Sequence, residues 1–352
     1  MIPQIQRAGK WFVQSGIQEA GGGVARYYRA DRQCHHRIST EITGYAVGAL
    51  VYLHSLTGED VYLERAAMAA GFLAETAWDA AARAMPFELD PPRRTYFFDC
   101  GIIVRGLLSG WRATGAQKFL DAATALGQQM IHDFESTTGD FHPVLSLPDK
   151  APMERDALRW SQSAGCYQLK SAMAWWDLAE ATGDDRYREP YDRALQNALR
   201  NYGQFLPGDP DRLKVMDRLH AFCYFLEGLL PRAAHPRCAE ALCDGIHRVS
   251  HHLRDIAPEF ERSDVYAQLL RMRLYAGAAG VVPLDREAAA FEAARLAQFQ
   301  AADGDPRING GFYFGRRQGA WLQYVNPVST AFALQALALW ETGALPLRHL
   351  LI

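Results

Sequence analysis

The sequence contains little lysine and no excess of either charge. Only five of its 37 basic residues are lysines, and the basic residues face 40 Asp and Glu residues, for a formal net charge of −3. Binding to nucleic acid requires a concentrated basic surface, so this balance argues against a nucleic-acid partner. With 49% hydrophobic and 22% charged residues, the chain has the composition of a folded globular protein rather than a disordered one.

Three further absences narrow the class of protein. The sequence has no run of about 18 uncharged apolar residues, so no membrane-spanning helix is expected. The N-terminus lacks the apolar core and small-residue cleavage site of a secretory signal, so a cytoplasmic location is expected. No Cys-x-x-Cys pair is present, which argues against a zinc ribbon or a redox pair. Cys100, Cys166 and Cys223 lie in apolar helical stretches and are expected to be buried and reduced.

What the sequence does contain is a repeated pair of helices. Residues 39–58 are apolar on nearly all sides and end at Thr57-Gly58, a helix C-terminal signal, and residues 60–79 follow with their charges on one face. The Thr-Gly signal returns at 114–115, 182–183 and 342–343. Buried helices are predicted to begin near Glu41, Asp99, Ser161, Asp217, Asp264 and Asn326. Charged outer helices are predicted at about 60–79, 117–135, 184–204, 235–255 and 285–302.

The ends of the chain complete this pattern. The sixth buried helix has almost no chain after it, so its outer partner is predicted to be an N-terminal helix at about 3–18. Six buried and six outer helices predict an all-α fold, an (α/α)6 toroid. Residues 1–352 would then form one domain, with the N-terminal helix closing the ring against the last buried helix. Alternating stretches at 94–98 and 311–314 predict no more than small hairpins in loops.

The connections between helices differ in length in a regular way. Those from a buried to an outer helix mostly have two to five residues, whereas those that lead to the next buried helix are long. The long connections are at about 80–97, 136–160, 205–213, 256–262 and 303–324. They are expected to gather at the N-terminal ends of the buried helices, where an aromatic rim would surround a functional site.

Polar residues near the starts of the buried helices, together with rim residues, are the candidates for chemistry. The candidate catalytic residues are Asp217, His220, Asp264, Glu41 and Asp99. The candidate substrate-binding residues are Tyr45, Trp160, Tyr167, Gln168, Arg218, Arg262, Tyr266, Tyr313 and Asn326. Carboxylates beside aromatic rings suit carbohydrate, because carboxylates bind hydroxyls and move protons while rings cover apolar sugar faces. The alternative is structural, because Asp and Asn at helix starts are ordinary N-caps.

The densest cluster is Asp217-Arg218-Leu219-His220, followed by Arg262-Ser263-Asp264. Asp217 and His220 share a helix face, and His220 is either a proton carrier or a buried histidine bonded to a neighbouring carbonyl. Ser263 is a natural N-cap, and Arg262 either pairs with Asp264 or binds a substrate carboxylate. Converging carboxylates repel one another, so one of their pKa values is expected to be raised.

A metal or cofactor is not expected. Cys34-His35-His36 is the segment that most invites a metal site, but adjacent histidines point in different directions and no partner has ligand spacing.

The helix pairs also resemble known families. The units STEITGYAVGALVYLHSLTGEDVYLERA, YFFDCGIIVRGLLSGWRATGAQKFLDAA and GCYQLKSAMAWWDLAEATGDDRYREPYDRAL resemble the hairpins of the six-hairpin glycosidase-like and α/α-toroid superfamilies. They are similar in particular to uncharacterised toroid proteins associated with bacterial polysaccharide gene clusters. The resemblance covers essentially the whole chain and implies the toroid fold. Residues 11–14 and 299–300, each before a glycine-rich turn, are similar to the QW repeats of squalene-hopene cyclases, but the cyclase motif Asp-x-Asp-Asp is absent.

These observations favour a carbohydrate-active enzyme that acts on a bacterial polysaccharide or oligosaccharide. In a glycoside hydrolase, one of the candidate carboxyls would protonate the leaving oxygen and another would activate water. In a lyase or epimerase on a uronic-acid glycan, His220 or Tyr266 would take the proton beside a carboxylate that an arginine neutralises. One alternative is an isoprenoid cyclase-like or prenyl-binding toroid. Another is a non-catalytic glycan-binding or scaffold protein, in which the acidic residues are only caps.

Overall fold

The computed structural model describes residues 3–137, 139–206, 211–257, 259–345 and 347–352, and this part of the chain is mainly helical. Its twelve α-helices are α1 (Pro3–Gln14), α2 (Thr40–Thr57), α3 (Asp60–Gly71), α4 (Phe97–Thr114), α5 (Gln117–Phe134), α6 (Gln168–Thr182), α7 (Arg188–Phe205), α8 (Arg212–Gly228), α9 (Pro236–Ile256), α10 (Ser263–Ala278), α11 (Arg286–Ala297) and α12 (Pro327–Thr342). A π-helical turn at Phe72–Ala77 extends α3. Parts of three predicted loops, at residues 138, 207–210 and 258, lie outside the described residues.

Eight short strands lie in the connections between the helices that the structure describes. They are β1 (Tyr28–Arg29), β2 (Cys34–His35), β3 (Arg94–Tyr96), β4 (Val144–Ser146), β5 (Phe260–Arg262), β6 (Gly315–Arg317), β7 (Ala320–Trp321) and β8 (Tyr324–Val325). They form small antiparallel sheets in the orders β2-β1-β8, β3-β4 and β5-β6-β7. The stretch at 94–98 does not form the local hairpin that its alternation predicts, because β3 pairs with β4 of the following long loop. The strand expected at 311–314 begins later, at Gly315, and is β6.

The chain divides into two compact units. The first unit comprises Met1–Ile17, Arg26–His36 and Tyr202–Ile352, and the second comprises Gln18–Ala25 and Arg37–Asn201. In the first unit α10 packs between α8 and α12, while α1, α9 and α11 pack on the outside of these three helices. In the second unit α4 packs between α2 and α6, and α3 and α5 cover them. Buried and outer helices therefore alternate along the chain within each unit, as the hydrophobic pattern predicts.

The Thr-Gly signals end four of the buried helices, as expected. Gly58, Gly115, Gly183 and Gly343 adopt φ values of 70°, 70°, 73° and 65°, a left-handed conformation that glycine adopts without a Cβ penalty. The threonine before each glycine has its own role. Thr57 Oγ1 donates to the Leu53 carbonyl at 2.9 Å and accepts from the Glu59 N–H at 3.1 Å. The same pair of bonds recurs at the other three threonines, so each dipeptide satisfies carbonyl and N–H groups that the end of a helix exposes.

Two predicted helix starts are wrong. Helix α6 begins at Gln168 rather than near Ser161, because residues 160–162 form a short 3-10 turn and the backbone of the next residues bonds to the side chains of Tyr167 and Gln168. Tyr167 donates its hydroxyl to the Ser163 carbonyl at 2.8 Å, and Gly165 donates its N–H to Gln168 Oε1 at 3.2 Å. Helix α8 begins five residues before Asp217, because the Asp211 carboxylate caps it by accepting two N–H groups.

Charged side chains inside the buried helices pair across helices. Arg105 of α4 donates to Asp177 of α6 at 2.8 Å, and both side chains are at most 7% exposed. In the first unit the fully buried Arg271 of α10 donates to Glu227 of α8 and to Gln335 of α12. A buried charge is tolerated when it is paired and hydrogen-bonded, so these pairs fix how neighbouring helices align. No helix within the described ranges is both long and apolar enough to span a bilayer.

The cysteines follow the expectation from sequence. Cys100, Cys166 and Cys223 are buried, and none of the six cysteines forms a disulfide. Burial raises the pKa of Cys100 to about 12 and raises the pKa values of Cys166 and Cys223 as well. A buried thiol with a raised pKa is a poor nucleophile.

We therefore expect these three thiols to react with a thiol-titrating disulfide reagent only when the protein unfolds. Exposed Cys34 should react first in the native protein at pH 8, and Cys34→Ser should remove this fast phase as a control. Equal rates for all six thiols in the native protein would contradict this prediction.

Candidate active site

The candidate site forms where α8 and α10 begin, in the first unit. Arg262 is the last residue of β5 and immediately precedes α10, and its position is fixed by the pairing of β5 with β6. Asp264 follows in the first turn of α10, whereas Asp217 and His220 lie in the second and third turns of α8. Three of these four residues are buried, and Asp217 is exposed at the surface.

Arg262 holds the two carboxylates of the site. Its Nε and Nη2 atoms donate to Asp264 Oδ1 and Oδ2 at 3.0 and 2.6 Å, and Nη1 donates to Asp217 Oδ1 at 2.8 Å. The guanidinium also lies 4.4 Å from the centroid of the Phe314 ring. The Asp264 side chain is 4% exposed and that of Asp217 is 55% exposed, so the cluster presents one carboxylate to solvent and keeps the other inside.

His220 has a defined orientation. Its Nδ1 lies 2.8 Å from Gln268 Oε1 and 3.3 Å from Asp264 Oδ2. The Gln268 amide nitrogen donates to the His220 carbonyl at 3.5 Å, which turns Oε1 of the amide toward the imidazole. Both neighbours of Nδ1 are acceptors, so the proton of the neutral ring resides on Nδ1 and the lone pair is on Nε2.

The charges of the site set its protonation states. Burial lowers the pKa of His220 below its ordinary value of 6.5, although Asp264 opposes the shift, so the imidazole is neutral at pH 7. Burial by itself would raise the pKa of Asp264, but the charge and hydrogen bonds of Arg262, together with His220 and the Val265 N–H, lower it. Asp264 is therefore not a carboxyl with a raised pKa, because an arginine lies between the two carboxylates that were expected to repel. The expectation that one carboxyl of the group has a raised pKa stays a prediction.

The other sequence-predicted residues of the first unit lie outside the Arg262 cluster or beside it, and their substrate-binding roles stay predictions. Asn326 is the N-cap of α12, with its side chain accepting from Val328 N at 2.7 Å. Tyr266 is buried and donates its hydroxyl to Glu261 at 2.9 Å. Ser263 does not cap α10, because its hydroxyl donates to the carbonyls of residues 313 and 314. Tyr313 stacks on Trp321 with 5.3 Å between ring centroids. Arg218 is half-buried beside Asp217.

The remaining sequence-predicted residues lie in the second unit. Glu41, half-buried, and Asp99, 7% exposed, are both in the first turn of their helices, and Tyr45 is buried one turn after Glu41. Trp160 packs edge-on against Tyr167 at 5.0 Å and against Phe98 at 6.1 Å. Gln168 donates to the Phe141 carbonyl at 3.1 Å, which ties the start of α6 to the preceding loop. Convergence of Glu41 and Asp99 with the Arg262 cluster stays a prediction.

Sequence reasoning did not predict the contacts of the site that depend on packing between helices. Gln268 orients His220 from a position four residues after Asp264, on the same helix face. An aromatic column also leads away from Arg262: Phe314 stacks on Tyr324 at 5.0 Å, and Tyr324 contacts Tyr27 at 5.2 Å. Segments far apart in sequence supply this column, so no local pattern predicts it.

The arrangement offers groups that can transfer protons and accept hydrogen bonds. Among the described residues, no three His, Cys, Asp or Glu side chains are close enough together to hold a metal ion. The cluster instead offers a neutral imidazole next to a buried carboxylate, and an exposed carboxylate that can accept hydrogen bonds from a ligand.

Comparison with known proteins gives the fold. No protein-family model and no curated protein matches the chain by sequence. Among solved structures, a sugar epimerase from a ruminal bacterium matches with a TM-score of 0.72 and 13% identity over 96% of each chain. Cellobiose 2-epimerase from Bacillus thermoamylovorans matches with a TM-score of 0.71 and 12% identity over 92% of this chain and 94% of that one. A D-mannose isomerase matches with a TM-score of 0.70 and 9% identity over 97% of each chain.

The fold is an (α/α)6 toroid. The match extends over nearly the whole chain, which confirms the toroid fold that the helix pairs predicted. The solved toroids that are similar to this one are sugar-active enzymes. At 9–13% identity the match establishes the toroid fold and leaves the reaction to be argued from the site.

Proposed function

We propose that this toroid is a sugar epimerase or isomerase in which His220 moves a proton at the carbon next to the carbonyl group of an open-chain sugar. The observation that carries the proposal is the setting of His220: a buried imidazole whose Nδ1 lies 2.8 Å from Gln268 Oε1 and 3.3 Å from Asp264 Oδ2, and whose pKa burial lowers. The fold supports it, since toroids titled sugar epimerase, cellobiose 2-epimerase and D-mannose isomerase share it.

The proposed step balances within the substrate and one imidazole. Nε2 of His220 accepts the proton from the carbon beside the carbonyl, and the C–H electron pair moves into the enediolate that forms. The imidazolium gains stability from the Asp264 carboxylate, which lies 3.3 Å from Nδ1. Return of this proton to the former carbonyl carbon, with the hydroxyl proton moving between the two enediolate oxygens, gives the isomer. Return to the first carbon, after the enediolate has turned its opposite face toward the imidazolium, gives the epimer.

The other reactions considered from sequence fit the cluster less well. A glycoside hydrolase needs a carboxyl that stays protonated near neutral pH, whereas the pKa of Asp264 is lowered. An isoprenoid cyclase or prenyl-binding site calls for a cavity with almost no carboxylates, but this cluster contains two together with an arginine and a histidine.

The charge of the cluster favours a neutral sugar over a uronic acid. The Nε, Nη1 and Nη2 atoms of Arg262 all donate to Asp264 or Asp217. Arg262 therefore pairs within the protein, which is one of the two roles that the sequence allows. With His220 neutral, two carboxylates face one guanidinium, and a substrate carboxylate would be repelled. The exposed oxygens of Asp217 can instead accept hydrogen bonds from sugar hydroxyls.

The test is proton exchange in D2O. The purified protein is incubated with a panel of neutral aldoses, ketoses and reducing disaccharides, and with uronic acids, and the products are followed by proton NMR. We expect deuterium at the carbon beside the carbonyl of a neutral sugar, together with a new epimer or isomer. Hydrolysis of a disaccharide without exchange, or exchange confined to uronic acids, would contradict the proposal.

Asp217→Asn tests the role of the exposed carboxylate. We expect it to lower kcat/KM by roughly 10- to 100-fold, the range for a lost hydrogen bond to a charged group. The melting temperature should barely change, because Asp217 does not cap α8 and its ion pair is half exposed. Asp211→Asn is the matched control: it removes one charge from the same helix and leaves a good N-cap. Full activity of Asp217→Asn on the identified sugar would refute the assignment.

A further inference from the structure

A cleft lies on the outside of the first unit and uses none of the residues of the Arg262 cluster. Its volume is about 530 Å3, and it is open to solvent. The side chains that line it come from α9, from the later part of α10 and from the start of α11; they are His247, Ser250, His251, Arg254, Asp255, Arg273 and Asp285. This volume is that of a site for a small molecule.

The Arg273 guanidinium is buried in the cleft, and one of its nitrogen atoms is available to donate to a ligand. Arg273 is 7% exposed, and its Nε donates to both Glu292 oxygens at 2.8 and 2.9 Å, while Nη2 donates to Ser250 Oγ at 2.9 Å. Its Nη1 makes no hydrogen bond to any residue that the structure describes. The ion pair with Glu292 and the bond to Ser250 fix the guanidinium plane, so Nη1 is held in a constant position for a ligand.

One face of α9 supplies the other cationic groups. His247, His251 and Arg254 are four and three residues apart, so they lie on the same side of the helix, and all three are exposed. None of them forms an ion pair with the described residues. The Arg254 guanidinium lies 5.6 Å from the centroid of the Phe291 ring of α11, so it stays near the cleft.

The carboxylates that line the cleft are engaged elsewhere. Asp255 pairs with Arg212 at 3.1 Å. Asp285 caps α11 by accepting from the Ala288 N–H at 3.0 Å. In this part of the described chain no three metal-ligating side chains are grouped closely enough for a metal ion, although His247, His251 and Asp255 share a helix.

We propose that this cleft binds a phosphate group, either free or carried by a small metabolite. Guanidinium groups donate to phosphate oxygens in a fixed geometry, and imidazole N–H and hydroxyl groups add further donors. Arg273 supplies the buried anchor, and Arg254 with the two histidines supplies the exposed rim. The site is independent of the proposed sugar chemistry, so its test uses binding alone.

The charge balance makes this binding dependent on pH. At high pH, Arg254 and Arg273 face Asp285 and Glu292, while Asp255 pairs with Arg212. Burial raises the pKa of Glu292 to about 7 in spite of Arg273. As the pH falls from 8 to 6 the Glu292 carboxylate takes up a proton and the cleft becomes more positive. Anion binding should therefore tighten in that direction.

The experiment is isothermal titration of the intact protein with inorganic phosphate, glucose 6-phosphate, glucose and sulfate. Sulfate keeps its charge between pH 6 and 8, so any change in its affinity reports the protein. We expect phosphate and glucose 6-phosphate to bind and glucose not to bind at this site. Sulfate should bind about tenfold more tightly at pH 6 than at pH 8. If phosphate binds more tightly than glucose 6-phosphate, the ligand is the free ion. If glucose 6-phosphate binds more tightly, the ligand is a phosphorylated metabolite.

Variants locate the site. The double variant His251→Gln/Arg254→Gln should weaken phosphate and sulfate by at least about tenfold, because it removes two exposed donors. Arg248→Gln is the matched control, since it removes a charge from the same helix at a residue outside the cleft. A melting temperature measured for each variant separates loss of binding from loss of fold. Three outcomes would each overturn the proposal. They are equal phosphate affinities of the double variant and the control, sulfate binding that does not depend on pH, and Zn2+ binding in place of phosphate.

Discussion

His220→Asn is expected to abolish deuterium exchange at the carbon beside the sugar carbonyl, with a loss of about 10²- to 10⁴-fold, the usual contribution of a general base. The reason is that Nε2 of this imidazole carries the lone pair that accepts the proton, and asparagine offers no base there. The measurement is the NMR exchange assay with whichever neutral sugar the wild-type protein converts.

The pH dependence of the wild-type protein gives a second readout. Burial lowers the pKa of His220 below its ordinary value of 6.5, so the base form persists into mildly acidic solution. We expect the acidic limb of the kcat/KM profile to lie below pH 6.5. His132→Gln, a histidine of α5 outside the cluster, is the matched control and should keep full exchange. Exchange that survives in His220→Asn would assign the base to another residue.

Arg262→Met is expected to lower the free energy of unfolding by about 3–5 kcal/mol, the cost of leaving a buried charge without its partner. Asp264 is 4% exposed and would lose the two guanidinium bonds that keep it ionised. Urea denaturation at pH 7 measures the effect. The double variant Arg262→Met/Asp264→Leu should recover most of the loss, because it removes both charges. If the single and double variants are equally unstable, the pair is not the source of the stability.

The sign of the pH effect follows from Asp264. With Arg262 present, the pKa of the Asp264 carboxyl is below its ordinary value. The ion pair therefore stabilises the fold fully at pH values above the ordinary pKa. This stabilisation is lost as the pH falls through the lowered pKa. Without Arg262, burial alone raises the pKa and the carboxyl can be protonated in mild acid. The difference between Arg262→Met and wild type should therefore shrink from pH 7 to pH 5.

The order of helices is a property that the sequence by itself determined. Apolar stretches without a polar face, amphipathic stretches between them and the Thr-Gly dipeptides identify the helices, because burial periodicity and C-terminal caps act within one or two turns. The first residues of two helices were not predicted correctly, because they depend on individual side-chain hydrogen bonds. Asp211 caps α8 earlier than predicted, and bonds between residues 163 and 168 place the start of α6 later than predicted.

Only the tertiary structure decided what the polar residues do. Asp217, Asp264 and Asn326 appeared equivalent in sequence, as acidic or amide residues near helix starts, but Asn326 caps its helix while the two aspartates bind Arg262. Gln268 and Phe314 entered the site through packing between segments distant in sequence. Arg271 and Arg273, which composition alone would place at the surface, are buried with Glu227 and Glu292. A side chain's charge state and partners depend on neighbours from other helices, and no local pattern specifies how those helices align.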